Sequence, residues 1–451
     1  MTMEVEIIYN NCIKPSSPTP FHLKIHDRSL LDQLAPFIYS PMILYYSNPG
    51  ASNKTLLLKQ SLSQTLTKFY PLAGKIRDDM SIECNDEGVL YSEARASVSL
   101  LEFLKHPNMI TKIHELLPIK SLFHIPTSGS YVTMIQETTF GCGGFTIGIN
   151  VLHSVMDGCA LSAFLKVWGA MASNETDKKM MIPSFDSQSI FPKYKDVPKD
   201  VTIMALVSSF IRVEKMNAVR FVFNGSAIAN LQEKVTSSGV KNPTRVEVVS
   251  ALVSERLMAA FKSKYGNNNN YNPLAINHVV NIRRKTSPTI PECSMGNIAC
   301  LADTILFGET QLSSLVFELK EAIAKINSGY VKNIQGEEGS LNFFKKIKEM
   351  KDAFTSPLFC SGVDYVMFTS WCGFGLYEVD FGWGKPVWTT CGGSYGNFKS
   401  PFFNLVVLMD ARTRNDGIEA WVISDERTIV EIEKDEELLK YAYLNPTPIF
   451  H

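Results

Sequence analysis

Residues 145–168 commit one part of the chain to a strand, a turn and a helix, in that order. Phe145, Ile147, Ile149 and Val151 alternate with Thr146, Gly148, Asn150 and Leu152. A period of two, rich in β-branched residues, is that of a strand with both faces largely covered. His153 stands at its end. Beyond Asp157-Gly158 the apolar residues become Leu161, Phe164, Leu165 and Trp168, whose spacings of three, four and seven define one helix face. A histidine at the mouth of a strand is suited to take a proton, because imidazole ordinarily titrates at about pH 6.5. An aspartate four residues later can turn back to fix the loop. The alternative is a structural histidine held by hydrogen bonds. With 8 His in the chain and Asp at roughly one position in twenty-five, about 0.3 His-x-x-x-Asp pairs arise by chance, so the motif needs a second witness.

That witness is Asp380-Phe381-Gly382-Trp383-Gly384-Lys385-Pro386, too specific in its order of aromatics and glycines to be a common turn. Together with His153 and Asp157 it resembles the plant BAHD acyltransferases, which move an acyl group from coenzyme A to an alcohol or amine. The resemblance extends along the whole chain. Phe69-Tyr70-Pro71-Leu72-Ala73-Gly74 is similar to the family's N-terminal segment, and Asn281-Ile282-Arg283 to its central Asn-Leu-Arg with one conservative change. Met295-Gly296-Asn297 and Thr369-Ser370-Trp371 also occur in the expected order. The fold this implies is α/β: two similar domains of mixed β-sheets covered by helices, of the chloramphenicol acetyltransferase-like kind, with an active-site channel between them.

Length is consistent with that expectation, since single cores stop growing at roughly 250 to 300 residues and this chain has 451. The boundaries read from sequence are residues 1–190, carrying His153 and Asp157; a crossover, 191–217, preceded by a proline-bearing polar stretch; and residues 218–451. The resemblance adds that a segment near 360–385 packs on the first domain. Within the first half, residues 82–91 read as a hairpin around Asp86-Glu87-Gly88. In the second, a strand is expected at 219–223, a helix at 245–265, a loop tip at 267–270, and a hairpin at Asn415-Asp416-Gly417.

A net charge of -1 gives no electrostatic footprint for nucleic acid or an anionic membrane. No apolar run is long enough to span a bilayer, and the first residues lack the order of a signal peptide. The expectation is a cytoplasmic monomer acting on small molecules. The 9 Cys are scattered, without zinc or disulfide spacing; they read as reduced and mostly buried, and no metal site is expected.

Acyl transfer from a thioester needs a base for the incoming hydroxyl, a donor for the developing oxyanion, and two substrates held close together. His153 is the expected base, acting by direct attack with no acyl-enzyme. Asp157 could pair with His153 or hold the loop through a cation. The resemblance implies the second, with Arg283 at the matching position and Arg284 as an adjacent rival. For Asp380, Gly382, Trp383 and Gly384 the reading is mainly architectural, with the Trp383 indole N–H as an alternative oxyanion donor. Coenzyme A contacts are expected from Ser250 and Ala251 near a helix start, from Thr369, Ser370 and Trp371, and from Lys241 and Arg245 for the phosphates. Acetyl-CoA is the expected co-substrate, with no tightly bound cofactor.

Lys14 to Pro20, Leu31-Asp32-Gln33 and the residues before Asp380 look most like the alkaloid O-acetyltransferases of the family. The resemblance thus implies a monoterpene indole alkaloid as acceptor, with a volatile-ester alcohol or a terpenoid as alternatives. A malonyl donor would need a cation near the acyl end, and none can be placed from sequence. A protein that kept the fold for binding alone is the non-enzymatic alternative. A serine-triad hydrolase is disfavoured because no Gly-x-Ser-x-Gly elbow is present.

Overall fold

The structure is a computed structural model that describes the chain except for residues 1–2, 48–49, 51–52, 79, 122–123, 174–181, 265–271, 309, 355, 357–361, 394–398, 413–416 and 449–451. The expected loop tip at 267–270, Asn415-Asp416 and Cys360 therefore lie outside the described residues.

The strands form two large mixed sheets. The first runs in the order Val5–Ile13, Val89–Ala96, Thr133–Thr139, Phe145–Leu152, Tyr39–Tyr46, Trp388–Thr390. Its fourth strand, the one that leads to His153, is buried along all eight residues, Thr146 and Asn150 included. Each fully buried Ile or Val there contributes about 1.5–3 kcal/mol. Gly148 is required by close approach, because a Cβ would lie 1.9 Å from the Leu116 carbonyl oxygen. The sixth strand comes from the far end of the chain and pairs with Tyr39–Tyr46, Trp388 opposite Tyr45.

The second sheet runs Ala299–Leu306, Leu274–Asn281, Asp364–Ser370, Leu405–Asp410, Ile418–Asp425, Arg212–Phe223, Lys399–Phe402, and Tyr443–Leu444 also pairs with Arg212–Phe223. Helices cover both sheets. Lys54–Lys68 and Gly158–Ala172 pack together on the first, and Gly225–Ser237, Arg245–Lys264 and Leu312–Lys325 on the second. The sheets are tied through Glu419. It pairs with buried Arg220 at 2.9 Å and accepts the Trp388 indole N–H at 3.3 Å.

Two local expectations change. Residues 82–91 are not a hairpin: Ser81–Glu83 joins a small sheet with Ile25–Asp27 and Lys75–Ile76, whereas Val89–Ala96 pairs with Val5–Ile13 and Thr133–Thr139. The turn between them carries the chain from one sheet to another, anchored where Asp86 accepts from Thr19 and Lys24. The strand expected at 219–223 begins earlier, at Arg212. Its first residues are half-exposed, so the apolar pattern shows only where the strand is covered. The hairpin strands Leu405–Asp410 and Ile418–Asp425 pair antiparallel, closed by the Ala411 N–H on the Gly417 carbonyl at 3.0 Å. Of the eight described cysteines four are buried, fewer than expected.

Candidate active site

His153 opens a short turn as its strand ends, and its backbone N–H donates to the Ile38 carbonyl at 2.8 Å. Its Nδ1 lies 3.1 Å from Asn297 Oδ1. The other contacts of Asn297 decide which atom faces the ring. Nδ2 donates to the His153 carbonyl at 2.7 Å and to Asp32 Oδ1 at 2.9 Å. Both partners are acceptors, so the amide oxygen must be the atom presented to the imidazole. Nδ1 then carries the proton and Nε2 is left with its lone pair.

Asp32 is buried and held from both sides. Oδ1 accepts the Asn297 N–H at 2.6 Å; Oδ2 accepts from Ser29 N–H at 3.1 Å and Oγ at 2.7 Å. Burial pushes its carboxyl up, against the pull of these donors and of Arg28. Ser29 and Asp32 form the capping box of the short helix Leu30–Leu34. Gln33 fixes that helix to the crossover by exchanging two hydrogen bonds of 3.0 Å with the Tyr194 backbone. Replacing Asn297 with alanine removes one net hydrogen bond from the imidazole, on the order of 1–1.5 kcal/mol, so kcat is expected to fall about tenfold with a smaller change in KM. Steady-state kinetics on the purified variant check this; an unchanged kcat would remove Asn297 from the positioning of His153.

Asp157 points the other way. It caps the Gly158–Ala172 helix through the Ala160 N–H at 2.9 Å and meets Arg283 in a two-pronged pair, Nη1 to Oδ2 at 2.7 Å and Nη2 to Oδ1 at 2.9 Å. Oδ2 also accepts the Ile298 N–H at 3.0 Å, and Arg283 reaches the Ser294 and Gly296 carbonyls. Burial disfavours its charge, but Arg283 and the two amide donors hold the carboxyl below the usual carboxylate range. Arg284 is exposed and pairs with Glu292 instead. The pair therefore fastens the turn after His153 to the loop that carries Asn297.

These groups open onto a cavity of about 220 Å³. Leu31, Leu34, Ala35, Ile38 and Tyr39 line one side; Thr369, Ser370, Trp371 and Phe374 another; and Val279, Leu301, Phe343, Ile347, Met350 and Met367 a third. It is a mainly apolar chamber with one imidazole lone pair able to take the proton of a hydroxyl.

A model of the Transferase family matches residues 3–439. The chain belongs to the BAHD acyltransferases. It is 42% identical to an epi-neemfruitin B 7-O-acetyltransferase of Melia azedarach and 40% identical to a limonoid 7-O-acetyltransferase of Citrus sinensis, in each case over 99% of this chain and 100% of the relative. It is also 34% identical to the stemmadenine O-acetyltransferase of Catharanthus roseus, over 96% of this chain and 97% of that one. The crystal structure of vinorine synthase superposes with a TM-score of 0.77 at 30% identity, covering 97% of this chain and 98% of the other. Acyl-CoA is thus the co-substrate, and the two-sheet architecture is that of BAHD enzymes.

The remaining residues singled out in the sequence fall into two groups. Thr369, Ser370 and Trp371 reach the cavity from the end of their strand. Arg245 lies just beyond, 3.8 Å from Asp410, whose carboxylate accepts the Gly373 N–H; Lys241 is exposed. Ser250 and Ala251 do not reach it. They are fully buried inside the Arg245–Lys264 helix, whose residues 247–254 are covered on every side. The helix begins five residues earlier than the pair, so they offer no free N–H.

Trp383 is also remote. Its ring packs on Phe145 at 5.8 Å and Phe381 at 5.8 Å. Phe145 and His153 end the same strand eight residues apart, roughly 26 Å, so the Trp383 N–H is no oxyanion donor. Asp380 Oδ1 accepts the Gly382 and Gly384 N–H groups at 2.8 and 2.9 Å, a turn whose glycines take φ of 100° and 110°. Phe381 is driven into the first core against Trp168 at 5.0 Å, and Tyr46 donates its hydroxyl to the Val379 carbonyl. The motif anchors the second half of the chain to the first.

The site also holds two residues that the sequence left without a role, Asn297 and Asp32. The Ser29-Leu30-Leu31-Asp32 spacing of a capping box was the one local signal available. No helix among the described residues is long and apolar enough to cross a membrane, and no group of three or more His, Cys, Asp or Glu there could hold a metal ion.

Proposed function

We propose that this BAHD enzyme transfers acetyl from acetyl-CoA to a hydroxyl of a neutral polycyclic terpenoid. His153 Nε2 takes the hydroxyl proton while the oxygen attacks the thioester carbonyl. The tetrahedral intermediate collapses to the acetyl ester and expels the coenzyme A thiolate, to which the imidazolium returns the proton. In this reading Thr369, Ser370 and Trp371, which line the cavity, offer hydroxyl and indole donors to the thioester, and the enzyme acts as a monomer.

The observation that carries the acceptor class is the charge of the cavity. Among the described residues lining it the one carboxylate is Asp157, already engaged by Arg283, and the one cation outside the imidazole is Lys346. An alkaloid brings a protonated amine into an apolar chamber with no free anion to meet it. The two relatives with the highest identity given above, both 7-O-acetyltransferases, support the same choice, which shifts weight from the alkaloid acceptor suggested by the sequence motifs. The donor is acetyl rather than malonyl in this reading, since Lys346 stands by Asp303 and not beside His153.

The test is thiol release by the purified protein with acetyl-CoA and a panel of neutral terpenoid alcohols and amine-bearing indole alcohols, with the ester identified by mass. Turnover with the terpenoids supports the reading. Turnover confined to the amine-bearing alcohols would reverse it.

A further inference from the structure

The helix Gly336–Phe354 lays one stripe against the third side of the cavity, residues 343, 346, 347 and 350, at the spacings of a core-facing surface. Three of these, Phe343, Ile347 and Met350, are buried and apolar. The fourth is Lys346, whereas Lys345, Lys348 and Glu349 on the same helix point to solvent. Lys346 is the one charged side chain of that stripe, and 35% of it stays exposed.

Its partner does not account for it. Lys346 Nζ lies 3.7 Å from Asp303 Oδ1, an ion pair beyond hydrogen-bond distance, and among the described residues it makes no hydrogen bond. Two such partly exposed groups contribute little to stability. Tyr330, which also lines the cavity, stands in the field of the same aspartate; burial, then Cys300 and Asp303, push its phenol well above the ordinary value. Its hydroxyl makes no hydrogen bond to another described residue. One end of an otherwise apolar chamber thus presents an ammonium and a phenol with donors unspent. Asp303 sits four residues beyond Ala299 on one strand, about 13 Å along the sheet. Ala299 lines the cavity near Asn297.

We infer that Lys346, supported by Tyr330, is a specificity-determining residue that binds a hydrogen-bond-accepting oxygen on the acceptor, such as a ketone, lactone carbonyl or ether, at the end remote from the acetylated hydroxyl. The inference rests on the terpenoid-alcohol reading and narrows it. The acceptor is a neutral skeleton long enough to span from His153 to Lys346 and oxygenated at both ends. The ammonium also repels an amine brought to that end.

The experiment uses two tetracyclic triterpenoid secondary alcohols that differ at the remote ring, where one carries a ketone and the other a methylene. Each is assayed with acetyl-CoA against the wild-type chain, Lys346→Met and Lys346→Gln. A charge-assisted hydrogen bond corresponds to about 10- to 150-fold. The wild type is expected to favour the ketone by that factor in kcat/KM. Lys346→Met should lose the preference mainly through KM, and Lys346→Gln should keep part of it. A lysine retained only for Asp303 would alter the melting temperature and leave the ratio alone. An unchanged ratio in Lys346→Met, with both alcohols acetylated by the wild type, overturns the role of Lys346 and leaves the terpenoid reading standing. A wild type that acetylates amine-bearing indole alcohols and neither terpenoid overturns that reading and this one with it.

Discussion

His153→Ala is expected to lower kcat by about 100- to 10,000-fold, the range spanned by general-base catalysis, with KM for either substrate changed by only a few-fold. Among the described residues lining the cavity, burial disfavours the ionised form of the thiols Cys159 and Cys391 and of the Tyr330 phenol. Tyr39 donates its hydroxyl to the Tyr131 carbonyl at 2.5 Å, and burial pushes its phenol up to about 12. Burial also pushes the Cys300 thiol up to about 12. Asp157 accepts from Arg283 and two backbone amides, leaving no basic lone pair turned toward the cavity. His153 packs at the end of its strand without entering the core, so the variant should fold and its melting temperature should stay close to that of the wild type. Thiol release in a single turnover measures the chemical step directly. A fall of less than tenfold would mean that the acceptor is deprotonated by another group.

Asp157→Asn is expected to destabilise the protein by about 3–5 kcal/mol, because it removes the countercharge from a guanidinium that is fully buried. Asparagine keeps the shape and can still cap the helix, so the loss reports the charge of Arg283 rather than a cavity. The pH dependence has a definite sign. The folded-state pKa of Asp157 lies below the unfolded value of about 3.9. The stabilisation is therefore complete above about pH 4 and is lost as pH falls through the lower, folded-state value. Denaturant titrations at neutral pH and at progressively lower pH should show a wide gap between wild type and Asp157→Asn that narrows in acid. Activity should fall as well, since the same pair fixes the loop bearing Asn297. A variant of wild-type stability with only slower chemistry would make Asp157 a partner of the reaction instead.

What could be read from the residues alone was local. The Phe145–Leu152 strand, the His153 turn and the Gly158–Ala172 helix follow from side-chain periods of two and 3.6 and from an aspartate at the helix start, all decided within a few residues. The hairpin after Asp410 follows in the same way. The relation of Arg283 to Asp157 came from resemblance, because nothing local links residues 126 positions apart.

Where sequence reasoning failed, a local pattern had more than one tertiary use. Ser250 in a helix suits either a ligand or a crowded core, and the structure buries it between the second sheet and the neighbouring helices, away from the cavity lining. An indole beside two glycines suits either an oxyanion or an anchor, and the length of one strand excluded the first. Asp86-Glu87-Gly88 suits a hairpin or a passage between sheets, and strand pairing chose the passage. The sequence by itself determined the strand, turn and helix that present His153, since their periodicity is written in neighbouring residues. Only the tertiary structure decided that Asn297, 144 residues away, orients the imidazole, that Asp32, 265 residues from Asn297, orients the amide, and that Lys346 turns inward. Those contacts join segments whose meeting depends on how two sheets pack, and no short-range pattern records that packing.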